Sequence, residues 1–102
     1  MKLSKKPHAC ENIQEIRDAL DQIDLEIVRL FALRSEYVKE IVKFKGDDKS
    51  IVASERRELV IKQRKKWAQE SGVDPEMMEE IFKLLIEKNI QMQFNIYKKK
   101  DS

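Results

Sequence analysis

The sequence predicts an all-α fold with three helices per chain, one of them very long, assembled as a homodimer. Three observations predict it. Charged residues make up 39% of the 102 positions, while Gly and Pro contribute two each, a composition that favours helix. No Gly or Pro interrupts the chain from Ile13 to Lys45. Along that stretch Ile16, Leu20, Ile23, Ile27, Leu30, Arg34, Tyr37, Ile41 and Phe44 recur at alternating spacings of four and three, the apolar seam of a helix that packs on another helix.

The first helix covers roughly 12–45 and would be ~50 Å long. A compact chain of this size has a radius of gyration of only ~13 Å. The helix therefore overhangs any core its own chain can build, and a second copy, side by side or intertwined, is the simplest cover. Gly46-Asp47-Asp48-Lys49-Ser50 ends the helix with turn-forming residues. The second helix starts near Ala53 or Ser54 and runs to about Ser71, with Leu59, Val60 and Trp67 as a thin apolar side and Gly72 as its C-terminal cap. Trp67 and the methionines read as core. Asp74-Pro75 opens the third helix, with Asp as N-cap and Pro at the first helical position. Its seam is Met78, Ile81, Leu85, Met92 and Ile96, widened by Phe82, Ile86 and Ile90. The expected organisation is a flexible segment 1–11, one helical domain 12–98 and a disordered tail 99–102.

Composition narrows the function. The net charge of +2 provides no broad field for nucleic acid or a membrane surface. Cys10 is the only cysteine, so no internal disulfide forms and a reducing, cytoplasmic setting is expected. No apolar run approaches the ~20 residues that span a bilayer, and the basic opening lacks the apolar stretch of a signal peptide.

Chemistry enters through polar residues in apolar stripes. Arg34 fills one slot of the first seam, a placement costing several kcal/mol unless the charge finds a partner. That partner is an acidic group on another helix, the commoner role, or an anionic ligand. Lys45 lies about 20° from eclipsed with Arg34 and ~16 Å along the axis. Arg17 lies ~25 Å before Arg34 and cannot share a small ligand with it from the same helix, though a partner chain's Arg17 can. On the third helix Asn89 sits in the slot between Leu85 and Met92, and Gln93 follows four residues later. Each has a plain structural explanation: a solvated charge for Arg17, the helix dipole for Lys45, register for Asn89, surface exposure for Gln93. Together they describe a site for an anion, with carboxylates that arginine grips in a fork. No metal-ligand spacing, Gly-rich phosphate loop or nucleophile with a base partner accompanies them. The chemistry then rests on binding and electrostatics, without cofactor or metal.

The combination resembles the all-helical chorismate mutases, and within them the isochorismate pyruvate-lyase branch. The resemblance rests on Ile16-Arg17-Asp18-Ala19-Leu20-Asp21-Gln22-Ile23-Asp24, on Arg34-Ser35-Glu36-Tyr37-Val38-Lys39 followed by Phe44-Lys45, on Glu55-Arg56 and on Gln93. It covers the chain from about Cys10 to Tyr97. It implies an intertwined homodimer with composite sites and a small-molecule substrate, chorismate or isochorismate. In that picture Arg17 comes from the partner chain and Arg34 from the same chain, each gripping a substrate carboxylate. Lys45 and Gln93 donate to the ether oxygen, Glu55 approaches the ring hydroxyl, and Asn89 lines the site. One position departs from the mutase pattern: Ser54 stands where many members carry a further arginine. That change, the short stretch between Lys45 and Glu55, Pro7…Cys10 and Trp67-Ala68 look more like the lyase branch, whose members commonly retain mutase activity. The alternative from another class is a non-catalytic helical dimer that serves as an interaction module.

Overall fold

The structure is a computed structural model that describes residues 2–100. It is all-helical, with no strand among the described residues. A 3-10 turn at Pro7–Ala9 precedes α1 (Ile13–Ile41) and a second 3-10 turn, Val42–Phe44, follows it; then come the short α2 (Asp48–Val52), α3 (Ser54–Ser71) and α4 (Pro75–Lys100). Lys99 and Lys100 thus belong to α4, while the rest of the expected tail lies outside the described residues. The chain divides into two compact units, one ending at Glu36 and one beginning at Tyr37.

In the first unit Asn12 Oδ1 accepts from the Glu15 backbone N–H at 2.9 Å, a side-chain cap at the start of α1. The Glu15 carboxylate accepts from the Glu11 backbone N–H at 3.0 Å and from Lys5 Nζ at 3.0 Å. These partners, the Glu11 N–H foremost, hold Glu15 below the usual carboxylate range. The seam of α1 stands out as apolar surface: Ile16, Leu20, Ile27 and Leu30 are exposed, Leu30 to 54%. No residue of α1 is buried.

The second unit carries the core. Its α4 packs against α3, α2 and the Val42–Phe44 turn. Val42 and Ile51 are each 2% exposed, and Val60 and Ala68 are also buried. Helix α3 therefore turns Val60 and Ala68 inward, whereas Leu59 and Trp67 face outward. Trp67 is half exposed rather than core, with the Arg64 guanidinium 4.7 Å from its ring centroid, a cation–π distance. Met77 is exposed too. Lys65 meets Glu79 at 3.3 Å between α3 and α4.

The turn signals fall where expected. Gly72 closes α3 in the left-handed region, φ 75°; its N–H bonds the Gln69 carbonyl at 3.3 Å, and the Val73 N–H bonds that of Ala68 at 2.8 Å, the Schellman arrangement. Asp74 Oδ1 accepts from the Glu76 N–H at 3.0 Å with Pro75 first in α4. The first helix differs from expectation at its end. Regular α geometry stops at Ile41, and the tighter turn of Val42–Phe44 swings Val42 inward while Phe44 is left 84% exposed. Lys45 therefore stands beyond the regular helix rather than within it, and the α-helical register ends before it, because a 3-10 turn holds fewer residues per revolution.

Candidate functional site

Of the residues singled out, Lys45, Glu55, Asn89 and Gln93 belong to the unit beginning at Tyr37, and Arg17 and Arg34 to the other. Asn89 and Gln93 lie one turn apart on the same face of α4. They are 9% and 8% exposed, deeper than Ile90 and Met92 beside them, which are half-buried. Gln93 is therefore a buried residue, not the surface residue its polarity alone suggests. Gln93 Oε1 is buried and meets no hydrogen-bond partner. An unpaired buried polar atom costs about 1–3 kcal/mol, so a folded chain keeps one where something else repays it. The terminal torsion of a Gln side chain is roughly two-fold. Turning it over presents the amide nitrogen, a donor, in the same place.

Lys45 leaves the 3-10 turn in an extended conformation, φ −97° and ψ 124°. Its N–H bonds the Val42 carbonyl at 3.1 Å. Its Nζ is partly buried and donates to the Ser50 carbonyl of α2. Sequence reasoning missed what holds this segment. Asp47 caps α2: its Oδ1 accepts from both the Ser50 backbone N–H and the Ser50 hydroxyl, each at 2.8 Å. Ile51 fixes the far side by burial. On the near side the Tyr97 hydroxyl donates to the Gly46 carbonyl at 3.1 Å. The signal for Asp47 was present, since Asp just before a helix is a favoured N-cap. Tyr97 carries no sequence signal that pairs it with Gly46.

Glu55 lies in the first turn of α3 and is exposed. Ala53 just before Ser54 adopts φ 43°, ψ 57°, a left-handed conformation that costs a non-glycine residue roughly 1–2 kcal/mol. That position ends α2 and begins α3, so it sets the direction in which Glu55 leaves the Lys45 segment.

In the other unit Arg17 is exposed and Arg34 half-buried. Partial burial alone holds the Arg34 guanidinium below its usual range, because desolvation disfavours the charged form. No helix among the described residues is long and apolar enough to cross a membrane.

These helices and residues belong with a known family. Chorismate mutase type II matches residues 16–94, and the chain is a member of that family. It is 35% identical over 94 residues to the isochorismate pyruvate lyase of Pseudomonas aeruginosa, covering 92% of this chain and 93% of that protein. It is 33% identical over 84 residues to the chorismate mutase of Methanocaldococcus jannaschii, covering 81% and 85% respectively. The T-protein of Haemophilus influenzae is 28% identical over 74 residues, 72% of this chain but 20% of that protein.

The Asp47 cap generates a pH prediction. The Ser50 N–H and hydroxyl hold the Asp47 carboxyl below its ordinary value of 3.8. A depressed carboxylate pKa contributes stability above its unfolded value and loses it as pH falls through the folded one. NMR titration should place the Asp47 midpoint below 3.8, with the Ser50 amide shifting in step. Asp47→Ala should abolish that Ser50 transition.

Proposed function

We propose that this chain is a pericyclic enzyme that converts chorismate to prephenate, with isochorismate as an alternative or additional substrate cleaved to salicylate and pyruvate. The observation that carries this reading is the pair of buried amides on α4, with Gln93 Oε1 unpartnered, in a member of the chorismate mutase type II family. The lyase reading is favoured by Ser54 and by the lyase relative, which matches nearly the whole chain.

The inventory suits the chemistry. The mutase reaction removes no proton and needs no nucleophile. The C–O bond breaks ahead of C–C bond formation, so negative charge builds on the ether oxygen. Lys45 and Gln93 donate to that oxygen in a water-poor pocket, where such donors act most strongly. Arg34 and the other protomer's Arg17 grip the carboxylates and hold the enolpyruvyl arm over the ring, supplying proximity. Glu55 approaches the ring hydroxyl and Asn89 lines the pocket. In the lyase reaction hydrogen passes to the enolpyruvyl group, pyruvate leaves and salicylate forms; the same clamps and donors serve. The composite site requires a homodimer, and the exposed seam of α1 supports one, since apolar stripes of this kind mark interaction surfaces.

Incubation of the purified protein with each substrate tests the reading. Prephenate from chorismate supports the mutase, and salicylate with pyruvate from isochorismate supports the lyase. Turnover of neither overturns both and favours the interaction module. Lys45→Ala should lower turnover at least ~100-fold, as loss of an oxyanion donor does; near-normal kcat would remove Lys45 from its role. Gln93→Glu should move activity toward acid pH, because only the protonated carboxyl donates, and a pH–rate profile identical to wild type would contradict donation by Gln93. Arg17→Ala and Arg34→Ala chains should each be inactive alone. Unfolded and refolded together, they should recover roughly a quarter of wild-type activity, because half the dimers are mixed and each has one intact site. No recovery would exclude composite sites.

A further inference from the structure

Lys45 is poorly suited to hold its own position. It stands outside the helix in an extended conformation, on a long side chain with about 2 kcal/mol of rotamer entropy. The residue after it is Gly46, where a Cβ would meet nothing within 4 Å. Close packing therefore does not explain this glycine, and it leaves the backbone beside Lys45 free to move. The Asp47 cap holds the chain beyond this glycine, and the Gly46 peptide itself is restrained by the Tyr97 hydroxyl, donating to the Gly46 carbonyl at 3.1 Å. Tyr97 follows Gln93 by one helical turn, so the two side chains rise from one face of α4, about 5–6 Å apart at Cβ. The same rigid helix thus carries Gln93 and anchors the peptide next to Lys45.

We propose that Tyr97 is a positioning residue, its hydroxyl on the Gly46 carbonyl setting Lys45 in register with Gln93. This rests on the function proposed above, in which Lys45 and Gln93 donate to one oxygen atom. Two donors aimed at a single atom tolerate little relative movement, and a displacement of 1 Å can cost on the order of 100-fold in rate. The tether acts through the backbone, leaving the Lys45 ammonium free to exchange the Ser50 carbonyl for substrate.

Tyr97→Phe removes one oxygen atom and keeps the ring. Its kcat should fall about tenfold, within the range that misplaced groups cost. The melting temperature should stay unchanged, because the hydrogen bond lies at an exposed site. The decisive measurement is a double-mutant cycle. In a Lys45→Ala background, Tyr97→Phe should cause no further loss, because the group it positions is gone. Additive losses, or a single-variant kcat within twofold of wild type, would overturn the inference. Hydrogen exchange supplies a readout independent of turnover: amides 46–53 should exchange several-fold faster in Tyr97→Phe, and unchanged exchange would also overturn it. Wild-type protein inert toward both substrates would instead overturn the function, and the positioning role with it.

Discussion

The insertion of Val42 and Ile51 beneath α4 is the constraint on which the candidate site depends. Each is 2% exposed, and burial of such side chains contributes roughly 1.5–3 kcal/mol apiece. They flank the segment that carries Lys45 and pin it at both ends. Between them the chain has only a 3-10 turn, a glycine and a single turn of α2. None of these is stable alone, since isolated helices this short do not form in water. The segment is ordered because its ends are buried and because Asp47 and Tyr97 satisfy polar groups between them. A cationic donor thus sits on a loop whose mobility is limited by packing rather than by regular structure.

Helix α4 is the other half of that constraint. It packs on α3, on α2 and on the turn that holds Val42, and still buries two amides. An apolar pair at those positions would stabilise the fold more, because neither would leave an unpaired atom. Asn89 and Gln93 in their place trade stability for polarity inside a core. Together with Ala53 in a left-handed conformation, they locate the departures from an ideal helical packing in the segment 42–53 and the C-terminal half of α4. Departures of this sort gather at functional sites, where strain and unmet polarity serve a ligand.

Much of this was legible in the chain because it follows from local chemistry. Asp74-Pro75 and Gly72 mark their helix ends through capping that any sequence of that form would adopt. Arg34 and Asn89 declared themselves by breaking apolar stripes. The core was less legible. Heptad spacing pointed to Ile41 and Phe44, yet the structure buries Val42, because the pitch changes within three residues. On α3 the apolar side pointed to Leu59, Val60 and Trp67, of which Val60 is buried while Leu59 and Trp67 are not, and Ala68 is inside as well; a helix that approaches closely selects small side chains over large ones. Tyr97 and Gly46 are far apart in sequence, and only tertiary packing unites them.

Arg34 shows how stability and function are linked. Desolvation pulls its pKa down, which means the folded chain disfavours the charge relative to water. Guanidinium nonetheless stays protonated at any physiological pH. The cost is therefore borne by the protein and not relieved by proton loss, as it would be for a histidine or a lysine. In the proposed function an anion would relieve it. A carboxylate gripped by two guanidinium N–H groups supplies charge and geometry together. A substrate carboxylate held in this way would offset the desolvation of the half-buried cation. Energy held in carboxylate contacts remote from the reacting bond can hold an enolpyruvyl arm in its reactive conformation, and in the proposed function this would leave the donors only the charge on one oxygen to stabilise.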